Sequence, residues 1–196
     1  LYKELLNFCT VDLSAFYFDI RKDSLYCDSK DSKKRQSTII LLNVILKSLL
    51  RWFAPILSFT TEEIYRLIKD DDKSIHLTKF LEFPKSFKNE NLNQKWLELI
   101  KIRNVCNISI EEKRASKEIG SSLEASLKIN LDKKLSEISK DVDFSELCIT
   151  SSADVSYLEG SETKVKTTKA EGLKCHLCWK ITKDACLRKT CPKHSE

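Results

Sequence analysis

The chain has 196 residues, a net charge of +5, 32% charged and 41% hydrophobic residues, an ordinary balance with enough apolar matter for one medium domain and a small appendix. No apolar run nears the ~20 residues of a membrane span, and no signal peptide opens the chain. Three Gly and three Pro set among many helix formers put helices ahead of sharp turns. The first residue is Leu1 and Met is absent, so the sequence reads as a piece of a longer polypeptide.

In chain order, residues 1–22 read as a helix or a helix pair. Leu5, Leu6, Cys9, Leu13, Phe16, Tyr17 and Ile20 recur there at three- and four-residue steps. After the polar stretch DSKDSKKR a second helix is expected over 33–53. Its apolar side carries Ile39, Leu42, Ile45, Leu46, Leu49, Leu50 and Phe53, and Ala54-Pro55 stops it. Thr60 and Glu63 form a capping-box pattern for a third helix, with Ile64, Leu67 and Ile68 as its apolar face. A fourth helix is expected over 92–117, with Trp96, Leu99, Ile100, Val105 and Cys106 on one side and cations elsewhere. Gly120 is placed to take the left-handed turn after it.

The period then changes. In SLEASLKINL the odd positions Leu123 to Leu131 are apolar and the even ones polar, the mark of a half-buried strand. A short helix is expected over 132–140, a paired strand over 144–150, and an exposed strand or linker over 162–169. Residues 161–196 hold nine Lys or Arg against four Asp or Glu, which accounts for the whole charge of +5 and leaves 1–160 neutral. A basic tail favours a polyanion, since bound phosphates release counterions. The plainer account is solubility alone.

The last residues carry Cys175-x2-Cys178, twelve residues, then Cys191-x2-His194. Two such knuckles suit tetrahedral zinc in a closed, structural site. Cys175, Cys178, Cys191 and His194 are the expected ligands. Cys186 is the alternative fourth ligand and His176 a bystander. Disulfides do not fit, because Cys9, Cys27, Cys106 and Cys148 lie scattered in apolar patterns. A redox CxxC lacks its βαβ context here. Trp179 either packs on the knuckle, the simpler expectation, or offers a stacking face to a base. No residue of the module is expected to be catalytic.

The stretches LNFCTVDLSAFYFDIRKDSLYCD, LLRWFAPILSFTTEEIY and EEKRASKEIGSSLEASLKI, in this order, resemble the C-terminal region of bacterial-type isoleucyl-tRNA synthetases. The tail resembles the zinc finger which those enzymes share with formamidopyrimidine-type DNA glycosylases. The resemblance covers nearly the whole chain and is weakest over 74–91 and 141–169. APILSFTTEE alone is shared with the valine and leucine enzymes. One departure stands out: the family closes its second knuckle with Cys-x2-Cys, where this chain has Cys191-x2-His194.

The resemblance implies a mainly α fold. A helical-bundle anticodon-binding domain would fill 1–120, a small α+β junction 121–160, and a basic linker with a zinc-knuckle module 161–196. It implies a cytoplasmic parent ligase that activates isoleucine with ATP and transfers it to tRNA. The HIGH and KMSKS signatures are absent from this sequence, so ATP and isoleucine are expected to bind the catalytic domain, outside this chain. The chain itself is expected to be non-catalytic and to hold the isoleucine tRNA alongside the catalytic and editing domains, with no membrane or DNA partner. Candidate phosphate contacts are Lys101, Arg103, Arg114, Lys117, Lys174, Lys180, Arg188 and Lys189, although a solvated surface cation is the commoner role for each. Three rival readings are a glycosylase-type DNA module, a docking module that barely touches RNA, and the same region of a valine or leucine enzyme.

Overall fold

The computed structural model describes residues 1–68, 73–160 and 162–183. The chain divides into two compact units, one of 30–88 and one of 1–29 with 89–196. The expected boundaries after 120 and 160 both fall inside the second of these.

The 30–88 unit is built on α3 (Lys33–Phe53) and α4 (Ser58–Ile68). The Ser32 side chain accepts from the Arg35 amide and starts α3; Pro55 follows its end. Inside the helix, the Thr38 and Ser48 hydroxyls turn back to the carbonyls of Lys34 and Val44, which lets both polar side chains be buried. The small core is Leu50, Ala54, Tyr65 and Ile75, with Leu46 against it. Ile39, expected on the buried side, is exposed. The capping box is not used either. Helix α4 begins two residues before Thr60, and the Thr61 hydroxyl bonds the Leu57 carbonyl. The structural carboxylate is that of Glu62 rather than Glu63. It accepts from Arg66, the Ser74 hydroxyl and the Ile75 amide, holding the 3-10 turn Ile75–Leu77. Ile64, Leu67 and Ile68 face outward, and Thr61 and Tyr65 face the core.

The other unit opens with one long helical run: α1 (Tyr2–Asn7), a π-helical stretch Phe8–Phe18, and α2 (Asp19–Cys27). Its three consecutive aromatics split. Phe16 meets Trp96 edge-on with ring centres 6.1 Å apart, Tyr17 lies 5.9 Å from the Arg21 guanidinium, and Phe18 faces solvent. Helix α5 (Glu90–Ala115) starts on the Asn89 cap, whose side chain accepts from the Leu92 amide. It buries Leu99, Ile102, Cys106 and Ile110, a stripe rotated slightly from the expected one. Gly120 does not make the left-handed turn. Lys117 does, at φ 59°. The Lys117 amide bonds the Arg114 carbonyl and the Glu118 amide the Lys113 carbonyl, which is a Schellman closure.

Strand β1 (Ala125–Asp132) buries Ala125, Leu127, Ile129 and Leu131 against α5, in the alternation expected. It is the middle strand of three, parallel to β2 (Ser152–Leu158) and antiparallel to β3 (Lys164–Lys169). A parallel pair needs a crossover. Here it holds a 3-10 turn Lys133–Leu135, α6 (Ser136–Ser139) and α7 (Phe144–Leu147). The strand expected over 144–150 is thus a helical turn. Asp143 caps it by accepting from the Ser145 and Glu146 amides, and Phe144, Leu147 and Cys148 bury at helical spacing. Cys106 and Cys148 meet in this core. Their hydrogen bond and burial raise the Cys148 thiol above its ordinary pKa. A two-stranded ribbon, β4 (Leu173–Lys174) with β5 (Ile181–Thr182), follows. Among the described residues no helix is long and apolar enough to cross a membrane.

Candidate nucleic-acid interface

The ribbon makes the cysteine loop. Strands β4 and β5 pair antiparallel, Lys174 opposite Ile181, and leave 175–180 as a six-residue turn. The Cys175 amide donates to the Lys180 carbonyl at 2.8 Å, and the Trp179 amide to the Cys175 carbonyl at 2.9 Å, with Trp179 at φ 63°. Gly172, at φ 130°, enters the ribbon where a Cβ would collide with the Thr182 carbonyl. At the same end Lys183 pairs with Glu171 at 2.9 Å.

Among the described residues, hydrogen bonds fasten the ribbon and its turn to the rest of their unit. The Ile181 amide donates to the Ser151 hydroxyl at 2.6 Å, the Lys180 ammonium to the Ser145 hydroxyl at 3.3 Å, and the Cys27 thiol to the Leu177 carbonyl at 3.6 Å. Cys27, Cys175 and Cys178 form one buried cluster. Sequence reasoning places Cys27 in an ordinary core; that α2 returns it to the knuckle follows from tertiary packing, for which local pattern carries no signal.

Two buried thiols separated by two residues on a hydrogen-bonded turn are the right donors for one half of a zinc site. The other expected ligands, Cys191 and His194, and the alternative Cys186, lie outside the described residues. Among the described residues no group of three or more His, Cys, Asp or Glu side chains is placed to hold a metal ion. Trp179, expected to pack on the knuckle, is 60% exposed.

The candidate cations occupy different settings. Arg103 is built into the fold, its Nε donating to the Leu147 carbonyl at 2.9 Å and its guanidinium 5.3 Å from the Phe16 ring centre. Lys101 and Arg114 make exposed pairs along α5, with Glu98 at 2.7 Å and Glu111 at 2.6 Å. Such pairs are weak and can be traded for a phosphate. Lys117 is exposed at the end of α5 and lines a shallow depression with Arg114 and Gly120. Lys174 is exposed on β4. Lys180 is half-buried beside Asp143, whose carboxyl burial pushes up; the hydrogen bonds from Ser145 and Glu146 and the Lys180 charge outweigh this and hold it below its ordinary value. Arg188 and Lys189 lie outside the described residues. The structure thus gathers Arg114 with Lys117 at one place and Lys180 with the knuckle at another.

Residues 1–129 match the family model described as the anticodon-binding domain of tRNA ligase. The chain belongs to that family. It is 69% identical over 188 residues, 96% of its own length, to the isoleucine–tRNA ligase of Pelagibacter ubique. It is 40% identical over 93% of its length to that of Agrobacterium fabrum, and 39% identical over 90% to that of Rhodopseudomonas palustris. The chain spans 21%, 20% and 19% of those three relatives. The helical run, α3, α4, α5 and the start of β1 lie within the matched residues.

Proposed function

We propose that the chain is the tRNA-binding part of an isoleucine–tRNA ligase. It holds the isoleucine tRNA while the rest of the parent polypeptide, in the cytoplasm, carries out ATP-dependent aminoacylation. The observation that carries this reading is the 69% identity over 96% of the chain to a relative of that name. Backbone contacts would come from Lys101, Arg114, Lys117, Lys174, Lys180, Arg188 and Lys189, and base choice from unstacked bases. Arg103 acts through the fold, since the Leu147 carbonyl and the Phe16 ring already occupy it.

Zinc belongs to the same proposal, held by Cys175, Cys178, Cys191 and His194. A two-strand ribbon has almost no core, so the ion would supply much of the module's folding energy. The catalytic and editing domains of the parent chain are the expected protein partners. Exposed apolar side chains on the 30–88 unit, Phe59 at 93%, Leu67 at 82% and Leu77 at 82%, support a docking role for that unit. The test is binding of the zinc-loaded chain to an isoleucine tRNA transcript across a salt series. A steep fall in affinity with salt supports RNA binding; no measurable binding leaves only the docking role.

A further inference from the structure

Helix α2 ends at the cysteine loop. Its buried residues are Ile20, Ser24 and Cys27, at i, i+4 and i+7, so one stripe faces inward. The neighbouring Tyr26 is 82% exposed. The last turn of the helix therefore presents the small thiol, not the large ring, to the knuckle. There the Cys27 thiol donates to the Leu177 carbonyl at 3.6 Å, across 150 residues of sequence.

The bonded carbonyl sits inside the Cys175-x2-Cys178 interval. It belongs to the Leu177–Cys178 peptide, which is planar. Holding its oxygen fixes the plane that carries the Cys178 amide, and with it the direction in which Cys178 leaves the turn. Cys175 is fixed differently. Its amide donates to the Lys180 carbonyl, and its carbonyl accepts from the Trp179 amide. Cys175 is thus placed by the ribbon itself, and Cys178 by α2.

The support behind Cys27 is firm. Arg21, earlier on α2, pairs with Glu146 of α7 at 2.8 Å, and both side chains are largely buried. Helix α7 is closed by Ile149 at φ 57°, whose amide bonds the Glu146 carbonyl while the Thr150 amide bonds the Ser145 carbonyl. A β-branched residue is rare in that region and persists only where its surroundings hold it. Ser145 of the same helix accepts from the Lys180 ammonium at 3.3 Å. Helix α2, helix α7 and the knuckle are therefore joined pairwise.

Cys27 clusters with Cys175 and Cys178 without completing a ligand set, since among the described residues no three such groups are placed to hold an ion. A thiol that donates to a carbonyl supports a metal site from outside its ligands, and such partners orient the ligands and tune affinity. We propose that Cys27 is a positioning residue for the zinc knuckle: it holds the Leu177–Cys178 peptide in the orientation in which Cys178 and Cys175 bind the ion together. The proposal rests on the zinc reading above. It couples the affinity of the tail for its metal to the packing of α2, within the matched region 1–129.

The test is titration of the chain with cobalt(II), whose thiolate charge-transfer band reports the ligands, followed by zinc competition against a chromophoric chelator. Wild type is compared with Cys27→Ser, which keeps a hydrogen-bond donor, Cys27→Val, which keeps an apolar group of similar size, and Cys178→Ser, which removes a proposed ligand. Circular dichroism checks that each variant keeps its helices. We expect Cys27→Val to lower zinc affinity about tenfold and Cys27→Ser to retain most of it. Packing alone would give the reverse order, because serine fills less of the cluster than valine. Charge-transfer intensity per bound cobalt should hold in both Cys27 variants and fall in Cys178→Ser. Wild-type affinity in Cys27→Val, or equal losses in the two Cys27 variants, overturns the proposal and leaves the zinc reading standing. A fall in charge-transfer intensity in Cys27→Ser makes Cys27 a ligand and also overturns it. If wild type binds neither metal, both readings are overturned.

Discussion

Lys117 carries two loads that a single substitution can separate. Its left-handed conformation, φ 59°, closes α5 at a cost that glycine would not bear. Its ammonium stands exposed beside Arg114 and is a proposed phosphate contact. Lys117→Gly should therefore stabilise the fold by about 1 kcal/mol and weaken RNA binding; denaturant unfolding and RNA titration on the same sample read the two signs. Asp143 has a different role. It caps α7 through the Ser145 and Glu146 amides, and Asp143→Ala should cost about 1 kcal/mol in denaturant unfolding. Its carboxyl lies below the ordinary value of 3.8, because its hydrogen bonds and the Lys180 charge outweigh burial. The stability it contributes is then full above pH 3.8 and is lost as pH falls through the lower, folded value. Asp143→Asn should remove that component from an acid titration of stability. At this scale the pairing of Cys175 with Cys178 on one turn is legible from spacing alone. Cys27, Tyr26 and Ile149 are not, since nothing local marks a residue brought to the knuckle from 150 positions away or a helix end closed without glycine.

Elements are legible where one period runs long enough. Helix α3 is expected over its observed span, because about twenty residues of helical spacing end at a proline. Strand β1 is expected because its alternation covers the whole strand, and its inward residues are fully buried. Shorter elements are harder to read. The 144–150 stretch has the apolar run of a strand, yet an Asp cap and an i, i+3, i+4 apolar set make it helical. Strand β2 follows it with Ala153, Val155 and Tyr157 facing inward, an alternation present in the sequence but masked by the neighbouring apolar run. Helix α4 begins ahead of its apparent capping box because the Leu57 and Ser58 carbonyls are already engaged by Thr61. Two outcomes follow for the elements. Leu127→Ala, at the centre of the α5–β1 core, should cost about 2–5 kcal/mol in equilibrium unfolding. Zinc chelation should abolish the ordered signals of the 173–182 ribbon in an NMR spectrum while leaving those of α5 and β1 in place, because the core of that unit is apolar and the ribbon has almost none.

At the scale of the whole molecule, charge is unevenly spread along the chain. The 1–160 region is neutral, and the basic 161–196 region supplies the net charge of +5, although its strand β3 belongs to the packed sheet. The helical fold class and the anticodon-binding family are both legible from the quoted stretches, since all of their residues lie within the matched 1–129. The division into a 30–88 unit and a unit joining 1–29 to 89–196 is not legible, because a chain that leaves a unit and returns to it has no local signature. The most direct test of the account is binding of the zinc-loaded chain to an isoleucine tRNA transcript and to the same transcript with a swapped anticodon, with Cys178→Ala alongside. The account predicts tight binding to the first, a loss on swapping, and weaker discrimination by Cys178→Ala. Equal binding to both transcripts by the wild-type chain would contradict it.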